Sequence, residues 1–162
     1  MTDSTRLEVS LARQCLKVLA GTGTVVEYPV SGSRNGPGER RDSGCTPRGP
    51  HVIAEKIGAG SPAGSVFVGR VPTGEICSPE LLRRQPHRDW ILTRILWLKG
   101  TEPGRNLGGD VDTYERYIYI HGAPDDVPMG VPGSGGCIRM RNVDVIDLFD
   151  RVEVGTPILI IE

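Results

Sequence analysis

Charge imbalance, aromatic residues, long apolar runs and closely spaced cysteines are all scarce in this chain. Each shortage excludes something. Lysine plus arginine number 19 and aspartate plus glutamate 20, a net charge of −1 over 162 residues. That balance gives no general attraction to nucleic acid or to an anionic membrane. Arg34, Arg40, Arg41 and Arg48 do cluster, but in a Gly/Pro-rich segment without interleaved aromatics, so they read as a solvated loop. No run approaches the roughly 18 apolar residues of a membrane span. The opening MTDSTRLEVSL has no apolar h-region, so no signal peptide is visible. Cys15, Cys45, Cys77 and Cys137 are far apart, which removes the paired spacing of a zinc site and argues against a disulfide framework.

What is abundant is glycine, 22 residues, and proline, 13, without a repeating period. They punctuate short apolar runs, as in a strand-and-loop protein. Leu7, Val9 and Leu11 alternate, then Leu16 and Val18, with Cys15 in the second run as a core residue. AGTG at 20–23 reads as a hairpin turn and TVVEYPVS as the returning strand. Residues 31–50 read as a long loop. HVIAEKIG and SVFVGRV read as two strands, SPELLRRQP as one or two helical turns, and DWILTRILWLKG as a strand. RYIYIHG reads as a strand ending at His121. RNVDVIDLFDRV reads as a helix with Asn142 as N-cap and Asp144 in the first turn. GTPILIIE closes the chain as a strand, so the pattern is mostly β with one good helix, in one domain over 1–162.

Chemistry concentrates in GVPGSGGCIRMRN, Gly130 to Asn142. A cysteine acts as a nucleophile only as thiolate, and a neighbouring imidazole eases proton removal. Glycines before it let a carbonyl approach the backbone and free N–H groups for an oxyanion. Arg139 suits a carboxylate. On spacing alone, Cys137 with His121 reads equally as nucleophile and base or as a structural thiol beside an unrelated histidine.

The residues themselves go further. YIHGAPDDVPMGVPGSGGCIRMRNVDVIDLFDRVEVGTPILI resembles the L,D-transpeptidase catalytic domain (the YkuD type): a strand-end His-Gly, a loop, then Ser-His-Gly-Cys, an apolar residue and Arg. CTPRGPHVI resembles that family's Thr-Pro-x-Gly segment, and RLEVSLARQCLKVLAGTGTVVEYPVS its opening hairpin. The resemblance implies a mainly β, β-sandwich-like single domain with a helix after the cysteine motif. It implies an acyl transfer on peptidoglycan stem peptides with Cys137 as nucleophile and His121 as base. The backbone at Gly136 and Ile138 would stabilise the oxyanion, and Arg139 and Ser134 would anchor substrate. It implies no metal and no cofactor, a thiol open to carbapenem-type inhibitors, and action in the periplasm, although no export signal is visible and a cytoplasmic pool stays open. One departure stands out: Gly135 occupies the family's second motif position, usually His. It implies a lost polar contact and makes a peptidoglycan-binding pseudoenzyme one alternative. An L,D-carboxypeptidase or D-amino-acid exchanger on the same bond is another. His51 reads as packed, His87 as exposed, and Asp125 and Asp126 as solvating their loop. Tyr117 and Tyr119 are explained by strand alternation alone.

Overall fold

Alternation decides the architecture. The structure, a computed structural model, describes residues 4–162, so the first three residues of the expected domain lie outside it. On β1 (Thr5–Ser10), Leu7 and Val9 are buried; on β2 (Cys15–Ala20), Cys15, Leu16 and Val18 are. These strands pair antiparallel, and β2 pairs with β3 (Gly23–Pro29) across the expected turn. The last strand, β10 (Pro157–Ile161), lies parallel to β1 and antiparallel to β4 (Gly49–Ile57). β4 pairs with β7 (Ile91–Gly100), which also pairs with β5 (Ser65–Val68) and β8 (Tyr119–Gly122). β6 (Val71–Ile76) completes a hairpin with β5, and β9 (Ile138–Met140) lies parallel to β8. The fold is mainly β, and all ten strands join one sheet that branches at β7.

Two apolar clusters follow from the period of two along β7 and β8. Leu96, Leu98 and Ile120 face the main core with Ile138 and Met140, under Val145, Leu148 and Phe149 of the helix α2 (Asn142–Arg151). Ile95, Trp97 and Tyr119 face the other side with Phe67, and Cys137 packs against that second cluster. The sheet therefore separates a structural face from the face that carries the thiol.

Four expectations are corrected. SVFVGRV is a hairpin rather than one strand: Gly69 and Arg70 adopt φ of 57° and 68° and form its turn. The apolar flanks hide that turn, and an arginine at positive φ gives no sequence signal. Asn142 is not the N-cap of α2. Arg141 holds that position without a side-chain cap, because the Asn142 side chain is used elsewhere. It accepts the Thr93 hydroxyl at 2.5 Å and donates to the Ala123 carbonyl at 3.0 Å. The strand ending at His121 begins only at Tyr119, since Tyr117 turns the chain at φ 58°. Residues 31–50 are not simply a solvated loop: Ser31 bridges to Arg139, Ser33 to Ser134 and Pro37 to Thr46, and Arg48 is ion-paired to Glu39 at 2.9 Å. SPELLRRQP forms the short helix α1 (Pro79–Arg84), capped by Ser78, whose Oγ accepts the Leu81 N–H at 3.1 Å.

Candidate active site

Register places the two reactive residues. β8 and β9 run parallel with Ile120 opposite Ile138 and His121 opposite Arg139. Cys137 is one step before Ile138, alongside Tyr119. Tyr119, His121, Cys137 and Arg139 thus lie on one face, and Ile138 is turned into the core.

His121 is 3% exposed. Its Nδ1 lies 2.6 Å from the Gly122 carbonyl. A carbonyl only accepts, so Nδ1 carries the proton and Nε2 presents a lone pair. No hydrogen bond occupies Nε2 among the described residues. Burial holds the ring below its ordinary value and therefore neutral; the Gly122 carbonyl and Asp89 oppose that shift, and Arg139 adds to it. The backbone here has no room for a larger residue after the histidine: a Cβ at Gly122 would stand 2.7 Å from the Leu92 carbonyl. A register shift in β7 between Leu92 and Ile95 fits this end of β8.

Cys137 is partly exposed. Sγ accepts the Tyr119 N–H at 3.3 Å and donates to the Tyr117 carbonyl at 3.5 Å. Burial pushes the thiol up to about 12; the Tyr119 N–H pulls it down, Asp89 pushes it up, and Arg116 and Arg139 pull it down. Both shifts favour the neutral thiol and neutral imidazole over a preformed ion pair. The sulfur is hydrogen-bonded to backbone, and no hydrogen bond joins it to His121 among the described residues.

The loop before the thiol is clipped internally. Ser134 Oγ donates to the Cys137 carbonyl at 2.5 Å and accepts the Gly136 N–H at 3.2 Å. Gly136 needs its glycine, with φ at 135° and the Cys45 carbonyl 3.3 Å from an added Cβ. Thr46, fully buried, donates to the Gly136 carbonyl at 2.9 Å and accepts the Ser33 N–H at 3.0 Å. This explains the threonine of CTPRGP: it fastens residues 31–50 to the cysteine loop. Arg139 donates to Ser31 Oγ at 3.0 Å, while its buried Nε has no partner among the described residues. Nη1 also makes no hydrogen bond among the described residues, and it is this nitrogen that is left for a ligand.

Other residues at the site gave no sequence signal. Trp97 and Tyr114 stack at 4.0 Å, and Arg70 lies 4.7 Å over Trp97 while donating to the Tyr119 hydroxyl at 3.0 Å. Asp89 is exposed yet acts electrostatically on Cys137, His121 and Arg139 together. His51 is packed and His87 exposed, as their contexts suggest. Asp125 accepts Asn142 Nδ2 at 3.2 Å. No group of three or more His, Cys, Asp or Glu suited to a metal ion exists among the described residues, and no helix there is long and apolar enough to cross a membrane.

The profile of the L,D-transpeptidase catalytic domain, YkuD, matches residues 4–160. The chain belongs to that family. Bacillus subtilis "Putative L,D-transpeptidase YkuD" is 32% identical over 117 residues, covering 68% of this chain and 66% of that protein. Escherichia coli "Probable L,D-transpeptidase ErfK/SrfK" is 47% identical over 47 residues, 29% of this chain and 15% of that protein. L,D-transpeptidase 3 from Mycobacterium tuberculosis, solved with a faropenem-derived adduct, superposes with a TM-score of 0.59 at 16% identity, over 99% of this chain and 61% of that one. At that identity the likeness establishes the fold. The chain spans less than two thirds of each of these relatives.

Proposed function

We propose that this protein is a cysteine-dependent peptidoglycan L,D-transpeptidase. The observation that carries the reading is the Nδ1 bond of His121 to Gly122, which leaves Nε2 free on the face that holds Cys137. Because both groups rest neutral, the proton leaves as the bond forms. Cys137 Sγ attacks the diaminopimelate carbonyl of a tetrapeptide stem while His121 Nε2 takes the thiol proton. The imidazolium then protonates the departing D-alanine amine and a thioester remains. An amine of a second stem attacks that thioester, passing its proton to Nε2, and the thiol returns. Arg139 holds a substrate carboxylate. The Gly136 N–H is already engaged by Ser134 and that of Ile138 faces the β8 ladder, so the Cys137 amide serves the oxyanion, and Ser134 serves the loop rather than the substrate. Such a substrate implies action in the periplasm, which fractionation of the native protein checks.

The test is intact-mass and peptide mapping after carbapenem treatment. The adduct maps to Cys137 and is absent from Cys137→Ala. Modification at Cys15, Cys45 or Cys77 with Cys137 untouched overturns the assignment, and a folded protein that never acylates is the peptidoglycan-binding pseudoenzyme instead. Products from purified muropeptides separate cross-linking from hydrolysis and D-amino-acid exchange.

A further inference from the structure

Gly135, where the family usually carries histidine, borders a cavity of about 450 Å³. Arg41, Asp42, Glu115, Arg116 and Tyr117 also line it. It adjoins the cysteine loop: Gly135 belongs to that loop, and Tyr117, which also lines the cavity, offers its carbonyl to Cys137 Sγ at 3.5 Å. The opening is a consequence of residue choice. A Cβ at Gly135 would meet no heavy atom within 4 Å, and Gly135 is not among the glycines at positive φ. A side chain fits there without strain, and the glycine leaves the space free.

Arg116 gives the cavity its chemistry. Its Nη2 donates to the Cys45 carbonyl at 2.7 Å and to Ser43 Oγ at 3.4 Å, and its Nη1 to the Gly38 carbonyl at 3.3 Å. All three acceptors are neutral, and no hydrogen bond uses Nε among the described residues. Arg116 forms no ion pair among the described residues; most arginines here share that, but the exposed ones have water in its place. Arg116 is also half-buried, with its guanidinium disfavoured by desolvation. Withdrawing a cation from water without a counter-charge is costly, and an incoming anion offsets the cost. Arg41, Asp42 and Glu115 are exposed at the rim. Two acids against two arginines cancel at long range, where salt screens them in any case, so selection happens at contact with Arg116.

We propose that this cavity is a carboxylate subsite for the stem peptide, with Arg116 as the contact residue. The proposal rests on the transpeptidase reading. Either the terminal D-alanine carboxylate or an internal carboxylate of the stem supplies the anion.

The experiment compares wild type, Arg116→Gln and Gly135→Leu, each checked by thermal melting. Cys137 is alkylated with iodoacetate and with iodoacetamide, which differ mainly in charge. In Arg116→Gln both rates fall together because Arg116 also pulls the Cys137 thiol down, and the iodoacetate-to-iodoacetamide rate ratio, which cancels that shared loss, falls about 5- to 10-fold, as loss of one charged contact implies. In Gly135→Leu the KM for tetrapeptide rises about 10-fold, with little change toward iodoacetamide. Stems amidated at the C-terminus or at the internal carboxylates identify the source: the amide against which Arg116→Gln no longer discriminates marks the carboxylate that is bound. If Arg116→Gln fails to fold, because it also holds residues 38–45, Gly135→Leu decides. Folded variants with an unchanged alkylation ratio and unchanged KM overturn the subsite. If wild type turns over no stem, the transpeptidase reading falls, while the alkylation ratio still reads the subsite.

Discussion

The surroundings of His51 and His121 differ in one hydrogen bond. Both rings are buried, at 1% and 3% exposure, and both tie Nδ1 to a backbone carbonyl, at 2.9 Å and 2.6 Å. His51 on β4 then spends Nε2 on Thr113 Oγ1 at 2.9 Å, whereas His121 on β8 leaves Nε2 without a partner among the described residues and shares its face with a thiol. Burial removes charge from both and distinguishes neither. A histidine with both nitrogens satisfied, as His51 is between β4 and the turn at Thr113, is a structural tie. One with an anchored Nδ1 and an open Nε2 is oriented for proton transfer.

The largest test of this contrast is His121→Ala. It lowers the rate of carbapenem acylation about 10²- to 10⁴-fold, the usual worth of a general base, and leaves the melting temperature near wild type. His51→Gln does the reverse, lowering stability and sparing acylation in the folded fraction. Equal acylation by folded His121→Ala and wild type would give another residue the role of base, with His51 the next to replace.

How much of this was readable beforehand depended on how local the cause was. His121, Cys137 and Arg139 were singled out by the motif's resemblance to the family, since on spacing alone the pair read equally as a structural thiol; the structure sets them on one face of β8 and β9. The role of residues 31–50 was not legible, because Ser31, Ser33 and Thr46 act through partners about 90 or more residues away, Arg139, Ser134 and Gly136. Asn142 shows the same limit from the other side. Its residue type suits an N-cap, but Thr93 and Ala123 compete for its amide and hold the turn after His121 instead. Arg116 was silent because nothing in TYERYIYIHG signals a half-buried guanidinium.

A smaller effect comes from acid. Burial holds His51 at about 4 against an ordinary 6.5, so between those values the unfolded chain binds a proton that the folded chain refuses. The contribution is fully present above pH 6.5 and is lost as pH falls through 4, amounting to roughly 3 kcal/mol. His121 is shifted in the same direction and adds to it. Urea unfolding at pH 7 and pH 4.5 shows a steeper loss for wild type than for His51→Gln. Equal losses would mean that His51 is not held neutral by its surroundings.

The smallest expected effect is that of Thr113→Val, and it isolates the bond that separates the two histidines. Thr113 is fully buried, and its hydroxyl is the partner of His51 Nε2. Valine matches its shape, so the change removes one donor and little packing. With Nδ1–H given to the Gly49 carbonyl, His51 Nε2 must accept, and losing the Thr113 hydroxyl leaves a buried acceptor unpaired. That costs about 1–3 kcal/mol, a measurable drop in urea midpoint. The substitution gives His51 the same open Nε2 that His121 has, yet no thiol lies beside it in the structure's strand pairing, so acylation of Cys137 stays at the wild-type rate. A Thr113→Val protein with an unchanged midpoint and slowed acylation would show that the hydroxyl serves the reaction rather than the fold, and the distinction drawn between the two histidines would fail.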